Sequence, residues 1–241
     1  MKIQNSVALV TGANRGIGRA LVEALLSGGA ARVYATARNA SSIEPIAAMD
    51  PKRIIPLELD VTDATQLSRA AARASDVTLL INNAGVLDFG KVLNTSISAF
   101  ERNFDVNFYG LLGTTRSFAP VLKTNGGGAV VNLLTLVALA SMPGLGVYNA
   151  SKAAAWSLTQ SLRADLAEQG TKVFGVFPGA IDTDMLRGVE IAKTAPEHVA
   201  REVIAGLESE QEDIFPDPMS AQLYGLWKAD HKAIERQFAA M

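Results

Sequence analysis

The feature that most constrains this chain is an alternation that runs almost from end to end. Short apolar, β-branched runs at 7–10, 33–36, 54–59, 77–81, 129–134 and 173–177 are separated by segments with helical periodicity. Several of these runs lack polar residues at alternate positions, as strands do when helices cover both faces of their sheet. Ile17, Leu21, Ala24 and Leu25 make a helical stripe that stops at Gly28-Gly29, and Ala155, Leu158, Leu162 and Leu166 make another that ends at Gly170. Repeated strand–helix–strand units build parallel sheets. The expected fold is therefore α/β: a Rossmann-type doubly wound parallel sheet of about seven strands with helices on both faces. The run 212–216 is expected to be the seventh, edge strand, followed by a short amphipathic tail.

Doubly wound folds often reach 241 residues unsplit, and no linker, repeat or low-complexity segment interrupts the chain. One domain over 1–241 is expected, in two halves at about 1–125 and about 126–241. With 49% hydrophobic residues the chain can bury a large core. A net charge of −2 without a basic block points to no nucleic-acid or anionic-membrane partner. Cysteine is absent, so no disulfide forms and no thiolate serves as nucleophile or ligand. His198 and His231 are the only histidines and have no ligand-like spacing, so no metal is expected. The N-terminus reads as a first strand rather than a signal peptide, and the most apolar stretch, 129–142, is broken by Asn132 and Thr135. A soluble, cytoplasmic protein is expected.

Thr11-Gly12-Ala13-Asn14-Arg15-Gly16-Ile17-Gly18 follows the first run and opens the first helix. Glycines at such a turn permit a tight bend, close backbone approach to a pyrophosphate and close helix–strand packing. The helix N-terminus adds free N–H groups and partial positive charge for phosphates. A P-loop is excluded because no Gly-Lys-Ser/Thr follows. The second run leads to Arg38 with no Asp or Glu to accept from a ribose 2′-hydroxyl. Arg38, with Arg15 in the glycine turn, suits a 2′-phosphate and hence NADP(H); two solvated surface arginines are the alternative.

Tyr148 and Lys152 stand four apart at the start of a helix, on one face. Hydride transfer to a carbonyl leaves an alkoxide that needs a proton, and a phenol with a nearby cation can deliver it near neutrality. The spacing alone decides nothing, because Tyr224 and Lys228 repeat it. Tyr148 follows the fifth run, at the carboxyl ends of the strands where such folds place their crevice. Tyr224 lies in the tail and is expected to be a surface or interface tyrosine.

Taken in order, these motifs resemble the classical short-chain dehydrogenase/reductase (SDR) family, whose glycine spacing is Thr-Gly-x-x-x-Gly-x-Gly. The resemblance implies that Gly12, Asn14, Arg15, Gly16, Ile17 and Gly18 receive the dinucleotide and that Asp60 and Val61 contact its adenine. It implies that Asn83, Ala84 and Gly85, in Asn82-Asn83-Ala84-Gly85, pass close to the cofactor. Pro178, Gly179, Ile181 and Thr183 resemble the family's Pro-Gly motif, with Thr183 on the nicotinamide carboxamide. Lys152 would also bond the nicotinamide ribose, and Asn107 would help hold a water relay behind it. Thr135, thirteen residues before Tyr148, stands where the family has its substrate-orienting serine. A threonine hydroxyl can still donate, but its methyl stiffens χ1 and crowds the pocket; Ser141 is the fallback hydroxyl, and a packing role for Thr135 is the alternative.

The family's pocket loops here carry Leu87, Phe89, Leu136, Met142, Leu145, Val147, Met185 and Leu186, with Asp88 and Asp182 as the only charges. The expected activity is a carbonyl reductase-like, NADP-dependent transfer of hydride between nicotinamide and a small or medium apolar carbonyl compound or secondary alcohol. The rival is a non-catalytic NADP-sensing regulatory or binding protein on the same fold. The family's edge strand also implies a homodimer or homotetramer.

Overall fold

The computed structural model describes residues 1–240. In chain order its elements are β1 (Val7–Val10), α1 (Gly16–Ser27), β2 (Arg32–Ala37), α2 (Glu44–Ala47), β3 (Ile54–Glu58), α3 (Ala64–Arg73), β4 (Leu79–Asn82) and α4 (Ile97–Phe104). There follow α5 (Leu111–Thr124), β5 (Gly128–Leu133), α6 (Gly146–Ala167), β6 (Thr171–Val176), α7 (Pro196–Glu208), β7 (Asp213–Ile214), α8 (Pro218–Ala229) and α9 (His231–Ala239). The strands form one sheet in the order β3-β2-β1-β4-β5-β6-β7, every pairing parallel.

Both faces of this sheet are covered, which explains why the apolar runs show no polar alternation. In β1, Ala8 and Val10 pack into one core with α1 and α7, while Leu9 between them enters the opposite core with α3, α5 and α6. In β5, Ala129, Val131 and Leu133 take the first side and Val130 the second. The first core includes Leu21, Leu25, Val199 and Val203; the second includes Leu67, Phe118, Leu122 and Leu162. Each fully buried side chain of this size contributes roughly 1.5–3 kcal/mol.

The strand order reverses between β1 and β4, which opens a crevice at the strands' carboxyl ends. The loops after β1, β4, β5 and β6 all emerge there. Beyond β7 the tail forms two helices, α8 and α9, which bury Leu223, Ile234 and Phe238 and leave most other side chains exposed. Asp217 starts α8 with a capping box, accepting from Ser220 N while the Ser220 side chain reciprocates. The other Asp217 oxygen accepts from Gly179 N at 2.8 Å, tying α8 to the Pro178-Gly179 turn. Among the described residues no helix is long and apolar enough to cross a membrane.

Candidate active site

A single cleft of about 1160 Å³ runs along the carboxyl ends of the strands. Its first wall is the glycine turn. Gly12 and Gly16 have φ of +65° and +54°, a region that disfavours side chains. An added Cβ at Gly12 would lie 3.0 Å from Ala84 Cα, and one at Gly16 would lie 3.0 Å from the Thr183 methyl. At Gly18 it would collide with the Gly12 carbonyl oxygen. The chain is thus packed closely against its neighbours where it enters α1 along the cleft.

Asn83 locks this turn to the end of β4. Its side-chain amide donates to the carbonyls of Thr11 (2.8 Å) and Gly12 (3.0 Å), while its own N–H and that of Ala84 donate to Thr11 Oγ1. Gly85 follows where a Cβ would meet Asn107 Oδ1 at 3.2 Å and Lys152 Nζ at 3.7 Å. Asn107 sits in a π-helical turn between α4 and α5; it accepts from Val86 N, and it donates to Val86 O and Ser151 Oγ. Such turns often occur at functional sites. Neighbouring Asn103 serves a different purpose, donating to Asp88 and to Ala99 O.

Tyr148 and Lys152 share one face of α6 and both line the cleft. Lys152 Nζ lies 5.9 Å from the Tyr148 ring centroid and donates to Leu133 O at 2.6 Å. Burial pushes the Tyr148 phenol up to about 12, with the Thr135 hydroxyl opposing it, and pushes the Lys152 ammonium down to about 8. Thr135 lies just beyond β5, lines the cleft beside Tyr148, and donates to Pro178 O at a long 3.4 Å. Ser141 is exposed and lies outside the lining.

The remaining expected cofactor contacts also converge. Asn14, Arg15, Ile17, Arg38, Asp60, Val61, Pro178, Gly179, Ile181 and Thr183 all line the cleft. Arg38 has no hydrogen-bond or ion-pair partner among the described residues. Arg15 instead reaches across to Asp184 Oδ2 at 3.0 Å, on the loop after β6. Exposed pairs of this kind are weak and exchangeable.

Several expectations about the substrate end need correction. Val147 points into the interior and does not line the cleft, although Leu87, Phe89, Leu136, Met142, Leu145, Met185 and Leu186 do. Asp88 is engaged by Arg102 and Asn103 outside the cleft, and Asp182 lies outside it too; the acid at this end is Asp184. Tyr224 lies outside the cleft and is half-buried. It stacks on Phe215 with ring centroids 3.8 Å apart and continues to Trp227 at 6.0 Å.

Sequence reasoning missed the residues that α8 and α9 bring to the cleft: Pro218, Met219, Gln222, Leu223, Gln237 and Phe238. The available signals were Asp217-Pro218-Met219-Ser220, a helix start with its cap and N1 proline, and the Ile234–Phe238 pair one turn apart. Among the described residues, no group of three or more His, Cys, Asp or Glu is placed to hold a metal ion.

The profile of the short chain dehydrogenase family matches residues 6–194. A crystal structure of a short chain dehydrogenase from Burkholderia cenocepacia J2315 in complex with NADP superposes with a TM-score of 0.91 at 39% identity, covering 99% of each chain. The sorbitol dehydrogenase of Cereibacter sphaeroides is 32% identical over 195 residues, 79% of this chain and 76% of that one. The glycine betaine reductase ATRR of Emericella nidulans is 35% identical over 191 residues, 76% of this chain but only 15% of that much longer protein.

Proposed function

This chain belongs to the short-chain dehydrogenase family, and on that premise we propose that it is an NADP(H)-dependent oxidoreductase acting on a small or medium apolar carbonyl compound or the matching secondary alcohol. The observation that carries the reading is the convergence, in one cleft, of the glycine turn with Tyr148, Lys152 and Thr135. The glycine turn fits a dinucleotide, because Gly12 and Gly16 hold backbone angles that disfavour side chains and Gly18 packs against the Gly12 carbonyl, a tight bend that sets the free N–H groups at the start of α1 beside the cleft where phosphates would lie. Arg38, exposed and without an ion partner among the described residues, together with the absence of an acid at the end of β2, favours the 2′-phosphate of NADP over the free hydroxyl of NAD. The B. cenocepacia relative's complex with NADP points the same way. Arg15 would join Arg38 by exchanging Asp184 for that phosphate. The cofactor half, about 1–125, supplies this surface, and the half from about 126 supplies the catalytic one.

NADPH, when bound, supplies the hydride that reduces the carbonyl carbon. The chain's own groups manage the oxygen. Thr135 donates a hydrogen bond that orients the carbonyl, and the Tyr148 phenol gives its proton to the oxygen as the alkoxide forms. Lys152, buried beside it, supplies the positive charge that steadies the resulting phenolate. Asn107 holds Val86 and Ser151 and so fixes the chain behind Lys152. Run backwards, the same groups remove the proton from an alcohol.

The test follows NADPH and NADH consumption across aldehydes, ketones and quinones, with Tyr148→Phe alongside. Turnover with NADPH that collapses in the variant is expected. NADPH binding without turnover on any substrate would leave a sensor protein instead. The outer side of β7 pairs with nothing among the described residues, and an open strand edge invites a partner. A homodimer or homotetramer is expected, and a monomeric mass by light scattering at micromolar concentration would refute it.

A further inference from the structure

The apolar end of the cleft is closed by the last helix of the chain. Ile234 and Phe238 share one face of α9 and pack with Leu223 of α8 and with Leu136, the residue after Thr135. Phe238 is only 3% exposed, yet it lines the cleft beside Met219 and Leu223. Leu136 donates its N–H to Pro178 O at 3.0 Å, so the loop that carries the wall is anchored at the catalytic end.

The wall that α8 and α9 contribute carries no charge. The charged residues lining the cleft are Arg15, Arg38, Asp60, Lys152 and Asp184, and none of them stands on α8 or α9. Those helices offer only Gln222 and Gln237 as polar side chains, both exposed at the mouth. Met142 and Met219 pack against this cluster, and Met185 also lines the cleft. Methionine sulfur is polarisable and its chain adaptable, which suits contact with a flat aromatic ring. An anion would find no cation here, and a sugar would leave its hydroxyls against hydrocarbon.

We infer that α9 is the specificity wall of the site: Phe238 limits the length of the substituent the cleft takes, and the preferred substrate is an uncharged aryl ketone or aldehyde. This rests on the carbonyl-reduction reading above. Removing the ring extends the chamber away from Tyr148 without touching the glycine turn.

The test uses the full-length protein with acetophenone and 4-alkylacetophenones of rising chain length. Binding is measured by calorimetry with NADP⁺ present, which cannot reduce the ketone, and turnover is measured separately with NADPH. Phe238→Ala is expected to raise kcat/KM for the longer members relative to acetophenone by at least about tenfold, since a methylene or two in an apolar pocket has that leverage. Phe238→Met, which keeps the volume and the packing of α9, is expected to retain the wild-type profile. A size preference that moves in binding as well as turnover supports the wall. A shift in binding without turnover in any variant supports the wall and overturns the carbonyl-reductase reading. Turnover whose size profile is the same in Phe238→Ala overturns the wall and leaves the reading standing. Neither binding nor turnover by the wild type overturns both.

Discussion

At the scale of the residue, Tyr148 and Lys152 carry opposite consequences of one cause. Burial disfavours the charged form of each, so the phenol rises to about 12 and the ammonium falls to about 8. The tyrosine therefore keeps its proton across the neutral range, ready to act as an acid, and Tyr148→Phe is expected to lower kcat by about 10²–10⁴-fold in steady-state assays. The lysine costs stability. Its folded value lies below the ordinary 10.5, so between about 8 and 10.5 the unfolded chain binds more protons than the folded one. Stability from this group is thus lowest below pH 8 and recovers as pH rises through that window. At pH 7 a shift of this size corresponds to a penalty of about 3 kcal/mol, which the bond to Leu133 O works against. Lys152→Met is expected to abolish turnover yet raise the melting temperature at pH 7, with the gain shrinking as pH approaches 10.5. A lower melting temperature in the variant at pH 7 would mean that the Leu133 bond outweighs the burial.

At the scale of the element, the glycine turn and the C-terminal helices show how position decides what a glycine does. Gly18 in α1 faces the Gly12 carbonyl and the Asn83 amide, so Gly18→Ala must push the helix off the turn. A cost of about 2–3 kcal/mol is expected by chemical denaturation, with weakened NADPH binding. Gly225 in α8 faces open space, and Gly225→Ala is expected to stabilise by about 0.5–1 kcal/mol through a less flexible unfolded chain. The same contrast explains what was legible in the sequence. The strands could be read because both their faces are apolar, and the glycine turn because its spacing has few other uses. Val147 was misjudged since a loop motif says nothing about which side of α6 a residue faces. Asp88 was misjudged because Arg102, fourteen residues on, meets it only once α4 has formed. The roof of the cleft was missed because Leu223, Ile234 and Phe238 have no motif; their meaning comes from packing against Leu136, far away in sequence. The Arg15–Asp184 pair likewise joins the loops after β1 and β6, which only the fold brings together.

At the scale of the whole molecule, the cleft draws its walls from nearly the full length of the chain, from Gly12 in the first turn to Phe238 in the last helix. A ligand held there must bias the folding equilibrium of the whole protein rather than of one loop, because it binds only when both halves of the sheet are assembled. At one hundred times its dissociation constant such a ligand stabilises by about 2.7 kcal/mol. For a chain of this size that corresponds to a rise in melting temperature of roughly 5–10 °C. NADPH is expected to produce this rise in differential scanning fluorimetry, and NADH at the same concentration a smaller one, since only the former brings a 2′-phosphate to Arg38. Arg38→Asp reverses the charge at that position and offers an acceptor for a ribose hydroxyl, so it should cancel or invert the difference while leaving the unliganded melting temperature within about 1 °C, as exposed surface changes usually do. Equal shifts with the two dinucleotides in the wild type would place the selectivity elsewhere. The same experiment with Asp184→Asn then isolates Arg15: freed from its partner across the cleft, it should respond more strongly to NADPH and not at all differently to NADH.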